Sequence, residues 1–118
     1  MISVLINNYN YSEYLSDAVN SVLQQDYQDF EIVIVDDGST DGSEDIIKDF
    51  AKKDSRVRPV FKSNGGQLST FNAGFEHATG EILFFLDADD KYCCDYLRKA
   101  TNIFKQYQEC DFLCTALQ

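Results

Sequence analysis

The sequence predicts an α/β protein whose doubly wound, mostly parallel sheet carries helices on both faces. Three observations support this fold class: short apolar runs alternate with segments of helical periodicity, the runs are apolar at consecutive positions, and polar loops follow the first four runs. Strands that are buried on both faces and joined by helices are typical of parallel sheets. A chain of 118 residues is long enough for one compact domain with one core.

Five apolar runs are the predicted strands, and each of the first four precedes a predicted helix. This order repeats the β-α unit from which parallel sheets are built. The predicted strands are Ile2–Ile6, Phe30–Val35, Val57–Phe61, Ile82–Leu86 and Phe112–Cys114.

Four helices are predicted from apolar residues at three- and four-residue spacing. Asn10 or Ser12 is the expected N-cap of the first helix, and Asp41 or Ser43 that of the second, because short polar side chains accept hydrogen bonds from a first helical turn. The apolar residues that mark the four helices are, in order, Leu15, Ala18, Val19, Val22 and Leu23; Ile46, Ile47, Phe50 and Ala51; Phe71 and Phe75; and Leu97, Ala100, Phe104 and Tyr107.

The composition excludes several classes of protein. Twenty acidic and ten basic residues give a formal net charge of −10, the wrong sign for a phosphate backbone, so nucleic acid is not an expected partner. No apolar run approaches the roughly 18 residues that span a bilayer, and no signal peptide pattern is present, so we expect a cytoplasmic protein. The four cysteines form no C-x-x-C motif and are expected to be reduced packing residues: Cys93, Cys94, Cys110 and Cys114.

The loops after the first four strands are the expected location of the chemistry, because ligands of doubly wound sheets bind at the carboxyl ends of the strands. The loop after the first strand contains neither a glycine-rich dinucleotide motif nor a P-loop motif, which disfavours both of those nucleotide-binding classes. The four loops are Asn7–Asn10, Asp36–Asp41, Lys62–Gln67 and Asp87–Asp90.

The fourth loop places three carboxylates, those of Asp87, Asp89 and Asp90, within four residues. Like charges at this spacing repel unless a cation screens them, and Mg²⁺ and Mn²⁺ bind carboxylate oxygens together with substrate phosphates. One interpretation is therefore a divalent-metal and diphosphate site. The alternative is an acidic loop in which Asp89 or Asp90 caps a helix that begins near Tyr92.

The second loop also has two interpretations. Asp36-Asp37-Gly38-Ser39-Thr40-Asp41 can be a turn that caps the next helix, although capping needs only one acid. The Asp36-Asp37 pair at the strand tip is suited to accept hydrogen bonds from a nucleotide base or a ribose hydroxyl. In the third loop, Gln67 is a ligand candidate beside an Asn-Gly-Gly turn.

Five sequence blocks in order carry a resemblance to glycosyltransferase family 2, a group of nucleotide-sugar-dependent enzymes with the GT-A fold. Each block is weakly specific alone, and the five in register over nearly the whole chain are highly specific. The blocks are Val4–Asn10 with Tyr14-Leu15, Ser21–Gln25, Phe30–Asp41, Asn64–Gly66 with Asn72–Phe75 and Ala78–Glu81, and Leu86–Asp90 with Tyr96-Leu97.

The resemblance implies roles for residues at the matching positions. Asp36 or Asp37 would recognise the base of the donor nucleotide, in a pocket lined by the Asn7–Asn10 loop that includes Tyr9. Asp87 and Asp89 would form the D-x-D element that meets the ribose and a diphosphate-bound Mn²⁺ or Mg²⁺. Family members often have Pro-Thr in place of Asn7-Asn8 and Ala-Arg-Asn in place of Thr70-Phe71-Asn72, and Gln67 is the candidate to replace that arginine.

The resemblance further implies that residues 1–118 are the nucleotide-sugar-binding part of a GT-A domain that is incomplete on its carboxyl-terminal side. The full enzyme would transfer a sugar with inversion from a nucleotide-diphosphate sugar, with a UDP-sugar as the expected donor, to a hydroxyl of a glycan or lipid-linked acceptor in cell-surface polysaccharide biosynthesis. We expect no catalytic residue in this chain, because the general base would lie beyond Gln118. The full-length protein could then work at the inner face of the membrane, and an uncovered sheet edge predicts self-association of this chain.

Two other classes have acidic sites on similar folds. A response-regulator receiver domain has five doubly wound strands and an acidic Mg²⁺ pocket, but its acidic pair follows the first strand, where this chain has Asn7-Asn8. A phosphatase that uses a D-x-D motif for aspartyl-phosphate chemistry also has that motif after the first strand. Both alternatives fit the sequence less well than the glycosyltransferase.

Overall fold

The computed structural model describes residues 1–107, which form a parallel sheet covered by helices. Strands and helices alternate along this part of the chain, as the apolar runs predict. The elements are β1 (Ile2–Asn8), α1 (Ser12–Leu23), β2 (Phe30–Asp37), α2 (Ser43–Lys53), β3 (Val57–Lys62), α3 (Gln67–His77), β4 (Ile82–Asp87) and α4 (Tyr96–Gln106).

Within residues 1–107 the sheet has four strands, all parallel, in the order β3-β2-β1-β4. The four predicted strands that lie in this range are confirmed, whereas the predicted strand Phe112–Cys114 lies outside the described residues. β1 and β2 extend beyond their apolar runs to Asn8 and Asp37. Their polar tips therefore belong to the sheet and are held in register by it.

Helices cover both faces of the sheet, which confirms the predicted fold class. On one face, the apolar residues of α1, α2 and α4 pack with one set of alternate strand residues, among them Ile6 and Ile34. On the other face, Leu5, Val33 and Val35 form a smaller cluster with α3. The alternation of side chains along each strand produces the two layers.

The predicted apolar face of α3 is wrong. Phe75 is exposed and Phe71 is half-buried, whereas Thr70 and Gly74 are the buried residues of this helix. A Cβ atom at Gly74 would lie 3.4 Å from side-chain atoms of Leu5 and Val35, so the missing side chain lets the helix approach the sheet closely. The Phe71 ring instead contacts the ring of Phe85 in β4 edge-on.

Three helix starts also differ from the prediction. α2 begins at Ser43 with Gly42 as its N-cap, so neither Asp41 nor Ser43 occupies the N-cap position. α1 begins at Ser12 with Tyr11 as its N-cap, and Tyr11 makes no side-chain capping bond, so neither Asn10 nor Ser12 is the cap. α4 begins at Tyr96, four residues after the predicted start, and the Tyr96 N–H donates to the Cys93 carbonyl in a turn before the helix. Tyr107 lies after the end of α4 and is exposed.

Two further expectations can be compared with residues 1–107. No helix in this part of the chain has the length and apolar character needed to cross a membrane. Cys93 and Cys94 are free, as expected, but both are exposed, so their predicted packing role is wrong. They lie in the irregular segment before α4, where their carbonyls accept hydrogen bonds from Gln25 and Asp26. Cys110 and Cys114 lie outside the described residues.

Candidate functional site

A cavity of about 430 Å³ opens at the carboxyl edge of the sheet, where the polar loops meet. This edge is the expected ligand position in a doubly wound fold. We call this cavity the cleft. The residues that line it are Asn7, Asn8, Tyr9, Tyr11, Asp37, Asn64, Gly66, Gln67, Thr70, Asp87 and Asp89.

The tip of β1 brings two amide side chains to the cleft, that of Asn7 half-buried and that of Asn8 buried. Asn8 donates from Nδ2 to Asp36 Oδ1 at 2.8 Å and to Ser39 Oγ at 3.2 Å. The Oδ1 atoms of Asn7 and Asn8 are buried and accept no hydrogen bond from the described residues. A buried acceptor without a donor costs free energy, so these two oxygens are suited to accept hydrogen bonds from a bound molecule.

Asp36 lies beside the cleft and is not among its lining residues. Its carboxylate is 3% exposed and accepts hydrogen bonds from Asn8, from the Ser39 hydroxyl at 2.6 Å and from the Ser39 N–H at 3.1 Å. All of these contacts are within the protein. Asp36 therefore holds the loop after β2 against the tip of β1.

Asp37 lines the cleft and organises the loop before α3. Its carboxylate is 4% exposed and accepts the N–H groups of Gly65 and Gly66 at 2.9 and 3.1 Å, together with the Lys62 ammonium. Burial raises the pKa of this carboxyl, but the bonds from Lys62, Gly65 and Gly66 outweigh burial and hold the pKa below its ordinary value. Asp37 is therefore a fixed negative charge on the cleft wall.

A glycine allows the loops after β2 and β3 to touch behind Asp37. Gly38 has a φ of 75°, and a Cβ at this position would lie 2.7 Å from the backbone nitrogen of Asn64. Both the positive φ and the close approach exclude a side chain. Gly38 therefore lets Asn64 reach the cleft, where its Nδ2 donates to the Asp37 carbonyl at 3.0 Å.

The acidic residues at the tip of β4 and directly after it form a second part of the site. Asp87, Asp89 and Asp90 are exposed and offer carboxylate oxygens that all lie within 4.8 Å of one another. Burial, followed by the charges of Asp89 and Asp90, raises the pKa of Asp87. Hard divalent cations bind such oxygen atoms, so the three residues fit a metal ion. The capping alternative is wrong, because α4 begins at Tyr96 and is too far along the chain.

The structure brings most of the predicted site residues together. Asn7, Tyr9, Asp37, Gln67, Asp87 and Asp89 line the cleft, whereas Asn10 and Asp36 lie outside the lining. Asn10 has a left-handed φ of 58° and bonds to the loop after β2.

Sequence reasoning assigned no role to four lining residues, Tyr11, Asn64, Gly66 and Thr70, and it included Asn8 only as part of the Asn7–Asn10 loop. For most of them a signal was present, because they lie in the polar loops at the strand ends. Thr70 had no such signal, since it lies inside α3 and its exposure to the cleft depends on how that helix packs.

The family of the chain follows from its sequence. Residues 3–115 match the profile of the family described as "Glycosyl transferase family 2". The chain belongs to glycosyltransferase family 2. The predicted family is thereby confirmed, and the receiver-domain alternative is not favoured.

Curated relatives agree with the family. The chain is 51% identical over 105 residues to an uncharacterized glycosyltransferase of Nostoc sp., covering 88% of this chain and 33% of the relative. It is 39% identical over 113 residues to a putative teichuronic acid biosynthesis glycosyltransferase, TuaG, of Bacillus subtilis, covering 95% of this chain and 44% of that protein. The chain thus spans between a third and a half of these two relatives.

Solved structures show the same fold. The crystal structure of S. aureus TarS 1-349 in complex with UDP matches with a TM-score of 0.83 and 29% identity, covering 91% of this chain and 32% of that one. The mannosyltransferase PcManGT from Pyrobaculum calidifontis, in complex with GDP-Man and Mn²⁺, matches with a TM-score of 0.77 and 27% identity. That match covers 87% of this chain and 32% of PcManGT. The sheet and helices of residues 1–107 are therefore those of the GT-A fold.

Proposed function

We propose that this chain is the donor-binding part of a glycosyltransferase that transfers a sugar, with inversion and with the help of Mn²⁺ or Mg²⁺, from a UDP-sugar to an acceptor hydroxyl. One observation carries the proposal: a single cleft has unpartnered amide oxygens at the tip of β1 and clustered carboxylates at and just after the tip of β4. A nucleoside diphosphate has the matching pattern, with hydrogen-bond donors on its base and metal-binding oxygens on its diphosphate. The UDP complex of TarS and the GDP-Man and Mn²⁺ complex of PcManGT support the same choice of ligand.

The base and ribose would lie against the β1 and β2 side of the cleft. The unpartnered Oδ1 of Asn7 accepts a hydrogen bond from a donor group of the base. Tyr9 lines the same side of the cleft, and Gln67 offers its side-chain amide at the start of α3. Asp37 contributes a fixed negative charge there. We propose Asn10 and Asp36 as supports of this wall, since their bonds run to the neighbouring loop.

The diphosphate would lie against the acidic side. Asp87 and Asp89 would hold the divalent ion, with Asp90 as a third ligand that the D-x-D pattern alone does not include. The bound ion supplies Lewis acidity that stabilises the negative charge of the leaving diphosphate. Burial and, after it, the charges of Asp89 and Asp90 raise the pKa of Asp87, so a bound cation would offset this repulsion and favour the ionised form of Asp87.

The acceptor and the general base would belong to the part of the enzyme that this chain does not cover, since the relatives are two to three times its length. A glycan or a lipid-linked saccharide is the proposed acceptor, in a pathway of cell-surface polysaccharide synthesis, a role that the printed name of TuaG supports. We propose a cytoplasmic site of action, at the inner face of the membrane for the full-length protein.

Isothermal titration calorimetry with UDP, GDP and dTDP tests the proposal. We expect one of the three, UDP first, to bind in the presence of Mn²⁺ and to bind at least about tenfold more weakly in EDTA, a difference of about 1.4 kcal/mol. Asp89→Asn should weaken binding in Mn²⁺ to a similar degree. Asp17→Asn is the matched control, because it removes the same charge from an exposed position on α1. Equal affinity with Mn²⁺ and with EDTA would refute the metal-dependent part of the proposal.

A further inference from the structure

The first residue of α1 receives its cap from a different loop. Tyr11 occupies the N-cap position and makes no capping bond, although Ser, Thr, Asp and Asn are preferred there. The Ser12 N–H instead donates to Asp41 Oδ2 at 2.9 Å. Asp41 lies 29 residues away in the loop after β2. An aromatic residue thus stands where a capping side chain is expected, and the capping function has moved to Asp41.

The same carboxylate also caps α2. The other oxygen of Asp41, Oδ1, accepts the Ser43 N–H at 3.1 Å and the Ser43 hydroxyl at 2.6 Å. Burial raises the pKa of Asp41, but the bonds from Ser43 and Ser12 outweigh burial and lower the pKa to about 2. One ionised side chain therefore fixes the starts of two neighbouring helices relative to each other.

A second set of bonds joins the same two loops on the other side of Tyr11. The Asn10 N–H donates to Ser39 Oγ at 2.9 Å, and the Thr40 N–H donates to Asn10 Oδ1 at 2.8 Å. The left-handed φ of Asn10 turns the chain between these contacts. Tyr11 is therefore held by bonded residues on both sides, Asn10 before it and Ser12 after it.

The side chains that this arrangement holds in place are aromatic and half-exposed. Tyr9 and Tyr11 both line the cleft and are 49% and 42% exposed. Neither side-chain hydroxyl makes a hydrogen bond within residues 1–107. The Tyr14 ring meets Tyr11 edge-on, with 6.3 Å between the ring centroids. Planar rings held this way at the mouth of a polar cleft are suited to stack on a flat ligand group.

We propose that Asp41 is a positioning residue of the cleft: it takes over the capping of α1 so that Tyr11 is free to pack on the nucleoside of the bound donor. The inference rests on the proposed function, because the nucleoside belongs to the nucleotide-sugar donor. Asp41 itself is not among the residues that line the cleft. It acts by fixing where the loop between β1 and α1 lies.

Asp41→Ala tests the inference by calorimetric titration with UDP and Mn²⁺ at a temperature where circular dichroism shows every variant folded. We expect the dissociation constant for UDP to rise by about tenfold, the lower part of what stacking of a base on an aromatic ring contributes. Asp54→Ala is the matched control. Asp54 also accepts a backbone N–H in a turn, that of Arg56, but it lies just before β3, at the amino-terminal ends of the strands and away from the cleft. The control should lose stability and keep the UDP affinity of the wild type.

A double variant separates positioning from stability. In Asp41→Ala with Tyr11→Ser, the new serine can cap α1 itself. We expect the melting temperature to recover toward the wild-type value while UDP affinity stays at least tenfold weaker. Recovery of both quantities would overturn the inference, because Tyr11 would then contribute nothing to binding.

A ligand-free measurement separates failure of this inference from failure of the proposed function. The chain contains no Trp and seven Tyr, so tyrosine dominates its near-ultraviolet circular dichroism. Asp41→Ala should change this spectrum, and the change should vanish in a background that carries Tyr9→Phe and Tyr11→Phe. If wild-type protein binds no nucleoside diphosphate, the proposed function fails. If the spectra of wild type and Asp41→Ala are identical, the positioning role of Asp41 fails.

Discussion

Glu31→Gln should lower the stability of the chain near neutral pH and remove part of its sensitivity to acid. Glu31 is 7% exposed and lies near the start of β2, at the amino-terminal ends of the strands, whereas the cleft lies at their carboxyl ends. Its Oε2 accepts the Ser3 hydroxyl at 2.6 Å and both the N–H and the hydroxyl of Thr79, and its Oε1 accepts Arg58 at 2.8 Å. The carboxylate therefore joins β1, β2, β3 and the segment before β4.

The pKa of Glu31 gives the size of the effect. Burial raises this pKa, but the bonds from Ser3, Thr79 and Arg58 outweigh burial and lower it from 4.5 to about 2. A carboxyl whose pKa is lower in the folded state stabilises that state at pH above its unfolded value, here by about 3 kcal/mol. The contribution is lost as the pH falls from about 4.5 toward 2, and about 2 kcal/mol of it is lost by pH 3.

Urea unfolding followed by circular dichroism at pH 3, 4, 5, 6 and 7 measures the effect. The free-energy difference between wild type and Glu31→Gln should be about 3 kcal/mol at pH 7 and should shrink to about 1 kcal/mol at pH 3. Glu76→Gln is the control, since the Glu76 side chain is exposed and makes no hydrogen bond within residues 1–107. This substitution should change the free energy of unfolding by no more than about 0.5 kcal/mol at any of these pH values. Parallel pH profiles of wild type and Glu31→Gln would refute the reasoning.

Three more predictions concern the cleft, the packing of α3 and the sheet edge. Asp36→Ala and Asp37→Ala should each cost about 1–3 kcal/mol of unfolding free energy, because the groups that donate to these carboxylates lose a buried acceptor. UDP affinity, measured by calorimetry, should fall more for Asp37→Ala than for Asp36→Ala. A larger loss of UDP affinity in Asp36→Ala would contradict the geometry. Gly74→Val should cost about 1–3 kcal/mol in urea unfolding by pushing α3 away from Leu5, and an unchanged midpoint would contradict the close packing. Within residues 1–107, β4 pairs on one side only and Phe85 is 49% exposed. Light scattering should therefore detect self-association of the wild type, and Phe85→Lys should reduce it. A monomeric wild type would contradict this prediction.

The sequence was sufficient to predict most of the fold because strand signals are local. Consecutive apolar residues such as those of Phe30–Val35 indicate a strand buried on both faces, and polar residues directly after it mark the strand end. The crowding of Asp87, Asp89 and Asp90 was also visible without a structure. Its interpretation as a cap failed on one fact that local sequence did not contain, the late start of α4 at Tyr96.

The helix contacts could not be predicted in the same way. Phe71 and Phe75 are the largest apolar residues of α3, and a search for apolar periodicity therefore selects them as the buried face. The helix packs through Thr70 and Gly74 instead, because a small residue permits close approach to the sheet. Tertiary packing decides such cases, and hydrophobicity alone does not contain that information. The cap of α1 by Asp41 was hidden for a related reason, since it joins residues 29 positions apart.

The pleat of the sheet explains why adjacent, chemically identical acids have different roles. Successive side chains of a strand point to opposite faces. Asp36 shares the face of Ile34, which α1 and α2 cover, and there it is opposite Asn8 and bonds to it.

Asp37 shares the face of Val35, which α3 covers, and there it bonds to the residues that start α3. Asn7 follows Leu5 on the same face and is paired in register with Asp87 of β4. The residues of this face, Asn7, Asp37 and Asp87, all line the cleft. At the tip of β2 the amino-acid pattern supplies two candidates, Asp36 and Asp37, and the register of the sheet together with the side that α3 covers selects Asp37 as the one that lines the cleft.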